Sequence, residues 1–195
     1  MSARDNAFAA LAATRPRVRV ADDAVLHFMT RLRAQGGQCS RVQNADAARA
    51  WLAAMARDEL SPMLIADDPW IEQILALPGP TLLAEDVALE GRIEGLAVTT
   101  AIAAVAETGS VLLHPRAGAP MAMNFLCDRL VVLLRAADVL PNLEDMWVRV
   151  RQRFGNNTPR ALSLVSGPSS SGDIGMQFAT GVHGPIELHV LVVDS

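Results

Sequence analysis

With 195 residues, 51% of them hydrophobic and 19% charged, the chain has the composition of a globular protein and excludes a disordered or fibrous one. A chain of this length buries roughly 70% of its unfolded surface, enough for a sizeable core without disulfide or metal staples. All 17 basic residues are Arg and Tyr is absent, which excludes lysine chemistry and a phenolic proton donor, while the net charge of −4 argues against nucleic acid as a partner.

In chain order, the apolar stretch Ala7–Ala13 predicts a short helix in a peripheral N-terminal segment over residues 1–20. Asp5 before it and Arg15 after it do not suit a cleaved leader. Apolar residues at 26, 28, 29 and 32 predict a second helix, stopped by Gly36-Gly37. An extended stretch follows around Cys39–Val42, then a helix capped by Asn44 or Asp46, with Ala47, Ala50, Trp51 and Ala54 on one face, ending near Arg57. Met63–Ala66 reads as a buried strand stopped by Asp67-Asp68-Pro69, which opens a helix through Leu77, and Thr81–Ala84 as another short strand.

From Leu96 the pattern changes. Two apolar runs, Ala101–Ala106 and Val111–Leu113, flank the polar tetrad Glu107-Thr108-Gly109-Ser110. A strand over Leu130–Leu134, a helix over Leu143–Arg153 and strands at Ala161–Val165 and Leu188–Val193 complete the order. A Ser/Gly-rich loop and a short helix are expected between the last two. Strands of near-continuous apolar residues alternating with helices predict one α/β domain over 1–195, with a mainly parallel sheet covered by helices on both faces. The apolar runs are too short to span a bilayer, so a cytoplasmic protein is expected. Cys39 and Cys127 match no metal or cluster spacing and read as free thiols, with no cofactor expected.

Open parallel sheets take their ligands at the carboxyl ends of strands. Three loops at predicted strand ends are dense in small polar residues: Glu107–Ser110, Ser166-Gly167-Pro168-Ser169-Ser170-Ser171-Gly172-Asp173, and Gly181-Val182-His183-Gly184-Pro185. Thr108, Gly109, Ser110, Ser166, Gly167, Ser169, Ser171, Asp173, His183 and Gly184 are the candidate ligand-binding residues. The second loop suits a small anion, because amides left open by Gly and Ser and a following helix N-terminus supply donors. Equally, Ser169 or Ser171 is a plain N-cap with Asp173 in the first turn. Glu107, a lone carboxylate among apolar residues, is either a catalytic base or nucleophile or an acceptor for the amides of its turn. His183 is a proton-transfer residue or a turn residue; His189, alternating with Leu188 and Val190, reads as partly exposed structure. His183, Glu187 and His189 fit no established metal spacing, so no metal is expected.

These loops also carry a resemblance. Val105-Ala106-Glu107-Thr108-Gly109-Ser110-Val111, Ser166-Gly167-Pro168-Ser169 with Asp173-Ile174, and Gly181–Pro185 resemble the signature of the lactate-utilization protein C family, the LUD domain, from about Leu26 to the C-terminus. The resemblance implies the fold of glucosamine-6-phosphate deaminase, ribose-5-phosphate isomerase and the CoA transferases. It implies an accessory role in bacterial oxidation of L-lactate to pyruvate beside iron–sulfur partner proteins. An alternative is an enzyme of the isomerase or CoA-transferase type using Glu107. The chain departs from the family pattern at Thr100, Ile102 and Gly175, where Gly, Asp and Glu are usual, so two acidic side chains are missing.

Overall fold

The computed structural model describes residues 23–56, 63–74, 81–83, 93–115, 121–155, 157, 159, 161–172, 178–180 and 184–194. The predicted N-terminal segment, including Ala7–Ala13, lies outside them. So do Arg57, residues 75–77 and Ala84 at the ends of three predicted elements.

Helix α1 (Ala24–Ala34) starts at Asp23, whose carboxylate accepts the Leu26 amide at 3.1 Å, the N-cap bond that satisfies an otherwise orphaned donor. It buries Val25, Phe28, Met29 and Leu32, whereas Leu26 is 58% exposed. Phe28, Met29 and Leu32 are buried as expected, and in the first turn Val25, ahead of the predicted start, takes the core position in place of Leu26. Strand β1 (Gln38–Val42) follows. In α2 (Ala45–Ala56), Asn44 is the cap, accepting the Ala47 amide. The buried face is Ala48 and Leu52 with Trp51 and Met55 beside them, not Ala47, Ala50 and Ala54. In an alanine-rich helix every face is weakly apolar, so the few large side chains choose the orientation.

Strands β2 (Met63–Ile65), β3 (Thr81–Leu83), β4 (Ile93–Thr100), β7 (Cys127–Arg135) and β12 (Glu187–Val193) join β1 in one six-stranded sheet of order β1-β12-β7-β4-β2-β3, parallel throughout. Residues 130–134 and 188–193 are all buried, so both faces of the central strands are covered, as a parallel sheet requires. Helix α3 (Pro69–Ile74) leads from β2 towards β3, and a single turn, α4 (Met123–Leu126), precedes β7.

A second sheet of four strands was not anticipated: β5 (Ala103–Val105), β6 (Ser110–Leu113), β8 (Val139–Leu140) and β9 (Ser163–Val165), in the order β8-β5-β6-β9. Here β5 pairs parallel with β8, while β6 is antiparallel to β5 and β9. Its two faces have different partners. Ala104, Ala106, Val111 and Leu113 join the main core. Ile102, Ala103, Val105 and Leu112 form a second cluster with Met146 and Val150 of helix α5 (Leu143–Phe154). The small sheet is therefore sandwiched between the main core and α5.

Residues 173–177, where the short helix was expected to follow the Ser-rich loop, lie outside the described residues, but a helix starting at Ser169 or Ser171 is replaced by a strand. β10 (Ser170–Gly172) pairs antiparallel with β11 (Phe178–Thr180), so neither Ser169 nor Ser171 begins a helix. Alternating small residues there satisfy a hairpin ladder as readily as a helix cap. Cys39 and Cys127 are buried and not bonded to each other. Strand β12 lies between β1 and β7, and Cys39 pairs with Val190, which pairs with Val132, five positions beyond Cys127. That separation is far outside the reach of about 7 Å that a disulfide tolerates. Among the described residues no helix is long and apolar enough to cross a membrane.

Candidate functional site

The tetrad Glu107–Ser110 is the turn joining β5 to β6. Gly109, at φ +67°, closes it by donating its amide to Val105 O at 2.9 Å. A Cβ on Gly109 would stand 2.5 Å from Leu32 N and 2.7 Å from Arg31 C, so the turn presses directly on the backbone of α1. Gln35, at the end of that helix, donates through Nε2 to Thr108 O at 2.5 Å.

The second loop arrives at the same place. Ser110 Oγ and Ser166 Oγ are 2.5 Å apart, and Ser110 also donates to Thr108 Oγ1 at 2.8 Å, so three hydroxyls form one chain. Ser110 is 1% exposed. Gly167, at φ +149°, leaves room for the Gln35 carbonyl, which a Cβ would approach to 2.6 Å. Ser169 N donates to Pro185 O at 2.9 Å, and Gly184 packs on the Ser169 side chain. The first two loops and the described part of the third are thus brought together. His183, Asp173, Gly181, Val182 and the Ser171 side chain lie outside the described residues.

The location differs from the expected one. Gly36 touches Pro168 just before β1, Pro185 precedes β12, and Ile186 N donates to Asp128 O at the start of β7. The loops gather at the amino edge of the six-stranded sheet, not its carboxyl edge. They do follow the carboxyl ends of β5 and β9, but those strands belong to the second sheet, which runs back from the end of β4.

Glu107 is half-buried and points elsewhere. Its amide donates to Pro141 O at 3.1 Å and its Oε1 accepts the Leu143 amide at 3.0 Å. Leu143 is the first residue of α5, where Asn142 Oδ1 accepts the Asp145 amide at 2.9 Å. The carboxylate and the asparagine together satisfy orphaned donors of that helix, and a negative charge there complements the helix dipole. The amide it serves is 36 positions away, not in its own turn. Ile102 is 6% exposed and packs in the cluster under α5. His189 is buried at 6% exposure rather than partly exposed, with Nε2 3.2 Å from Glu187 Oε2 and its ring 6.2 Å from that of Trp51. Trp51 on α2 closes over the strand, a cover that residue alternation alone does not reveal.

The carboxyl edge of the main sheet carries a different group of side chains. Asp68, just beyond β2, accepts the Thr100 hydroxyl on Oδ2 at 2.8 Å and the Trp70 amide on Oδ1 at 2.8 Å. Arg135, the last residue of β7, places its guanidinium carbon 4.4 Å from the Trp70 ring centroid. In the sequence, Asp67-Asp68-Pro69 reads only as a strand stop. A carboxylate pair directly after a buried parallel strand was the available signal.

Comparison with known proteins places these features. The model of the LUD domain family matches residues 95–193, from β4 to β12, and so includes the three loops but not Asp68 or Trp70. Over 101 residues the chain is 30% identical to "Lactate utilization protein C 1" of Bacillus mycoides, covering 51% of this chain and 43% of that one. It is 28% identical over 99 residues to "Lactate utilization protein C" of Macrococcus caseolyticus, covering 50% and 43%. The chain thus spans under half the length of these curated relatives. A crystal structure of a duf162 family protein from Deinococcus radiodurans superposes with a TM-score of 0.54 at 19% identity, over 87% of this chain and 96% of that one, a likeness of fold.

Proposed function

The chain belongs to the LUD domain family, and from that membership we propose that it is an accessory protein of L-lactate utilization which binds a small carboxylate. Two relatives carry lactate utilization in their names, which supports the pathway. Oxidation of lactate to pyruvate releases two electrons, and the two separated cysteines here are too few to ligate an iron–sulfur cluster. Electron transfer then falls to iron–sulfur partner proteins, with this chain acting beside them in the cytoplasm.

The observation that carries the accessory reading over an enzymatic one is the engagement of Glu107 with the Leu143 amide. A general base must reach the proton it abstracts, and this carboxylate is turned towards a helix terminus. The alternative, an isomerase or CoA-transferase type of reaction through Glu107, rests on fold analogy, which does not fix chemistry.

Deleting the gene in its native host tests the reading. Growth on L-lactate as sole carbon source should be lost, growth on pyruvate retained, and a Glu107→Gln copy should restore growth. Unimpaired growth of the deletion strain on L-lactate overturns the pathway assignment. A normally abundant Glu107→Gln protein that fails to restore growth overturns the accessory reading in favour of catalysis.

A further inference from the structure

We propose that Arg33 guards the open edge of the six-stranded sheet, holding the outward carbonyl of β1 so that a second copy of the chain does not pair there strand to strand.

β1 stands at the end of the sheet order, and among the described residues β12 is its strand partner. In a parallel ladder the N–H and C=O of one residue point to the same side, and successive residues alternate. Asp194 N donates to Val42 O at 3.0 Å, which turns Val42, and with it Ser40 and Gln38, towards β12. Cys39 and Arg41 therefore present their backbone groups outwards, along the rim of the sheet. Such a rim is a ready template for another strand. β1 and the residues on either side of it are all described, so the rim is defined along its whole length.

Arg33 meets this rim. It lies in the last turn of α1, and the chain reverses directly after it. Gly36, at φ +84°, donates to Arg33 O at 3.0 Å, and Gly37 donates to Leu32 O at 3.1 Å. The reversal lays the exposed Arg33 beside the strand, where its Nη2 donates to Cys39 O at 2.6 Å. A charged donor holds that carbonyl more strongly than a strand amide would.

The position is the one that matters for self-pairing. Two copies meeting antiparallel about a two-fold axis at Ser40 would set Cys39 opposite Arg41 of the second copy. That pair would exchange both of its backbone bonds, and the one donated by the Arg41 amide needs the carbonyl that Arg33 already holds. Pairing would also strip water from the guanidinium and bring two such cations together across the axis. Arg41 offers no comparable cover, because its own guanidinium is engaged by Asp194 at 2.8 Å and Asp23 at 3.4 Å.

Sedimentation equilibrium of the full chain tests the guard. Arg33→Met keeps the apolar stem without a donor, and Arg33→Gln is too short to reach the carbonyl. Both should self-associate about tenfold more tightly than the parent. Amide exchange followed by NMR locates the contact. The Arg41 amide should exchange far faster than that of Val42 in the parent and become protected in the associated variants. Adding Arg41→Pro removes the outward donor without touching the β12 ladder, and should return association to the parent level. Variants that associate no more than the parent, association that survives Arg41→Pro, or an Arg41 amide already as protected as Val42 in the parent would each overturn the proposal. Loss of a cooperative melt in both Arg33 variants would make the residue a structural tie, and would overturn it too.

Discussion

Replacing Glu107 separates a helix-terminal role from a chemical one. Its Oε1 accepts the Leu143 amide at 3.0 Å, and the half-buried position limits the water that would substitute. Glu107→Ala removes a charge-assisted bond, worth about 1.5–3 kcal/mol when made to a charged group. It also removes a favourable charge at the α5 N-terminus, worth roughly 0.3–1 kcal/mol. Asn142 still caps the Asp145 amide, so the helix does not unravel and the lower half of that combined range is the expectation, about 2 kcal/mol. For a domain of this size, 1 kcal/mol moves Tm by roughly 2–4 °C, which puts the alanine variant about 4–8 °C below the parent. Glu107→Gln keeps a neutral acceptor at the same reach and should lose about half as much. Scanning calorimetry of the three proteins side by side makes the comparison. An alanine variant as stable as the parent, or a glutamine variant as damaged as the alanine one, would refute the reasoning.

Gly109→Ala should destabilise by more than about 2 kcal/mol, because its Cβ would overlap the α1 backbone at 2.5 Å. Gly155→Ala, at φ +56° with open space around it, should cost only about 1 kcal/mol, and urea midpoints of the pair separate crowding from backbone strain. Ser110→Ala breaks the buried link to Thr108 and Ser166 and should cost about 1–2 kcal/mol in the same assay. Burial pushes the Cys39 thiol up to about 12, against the lowering pull of Arg33. The folded state therefore holds its proton where the unfolded chain gives it up, so this contribution is intact below pH 9.0 and fades as pH rises towards 12. With no Lys and no Tyr to titrate in that window, a Cys39→Ala protein should show a visibly flatter alkaline decline in its urea midpoint.

What the sequence revealed depended on contrast. Leu130–Leu134 is an uninterrupted apolar run and Leu188–Val193 is broken only by His189, and both were readable as strands, as the structure bears out. β4 escaped because Glu94, Gly95, Thr99 and Thr100 break its apolar character, although Thr99 is only 3% exposed. The approach of Ser110 to Ser166 was legible, since both loops were polar punctuation after apolar runs. Their edge of the sheet was not, because periodicity carries no strand direction and β5, β6, β8 and β9 form a sheet of their own. Asp68 illustrates the same limit: its local sequence reads as a turn signal, and only the pairing of β2 with β4 brings Thr100 to it.

The sheet order has a consequence for how the molecule is made. β1 lies near the beginning of the described chain and β12 near its end, yet β12 is the strand that joins β1 to β7. While the ribosome is still translating, β7 has an open flank and β1 has nothing to pair with. Such long-range pairing folds slowly and leaves a strand edge available for aggregation until the closing piece emerges. A nascent chain of this topology exposes that flank until β12 is made, and losing β12 would cost the sheet two strands at once, because β1 has no other partner in it.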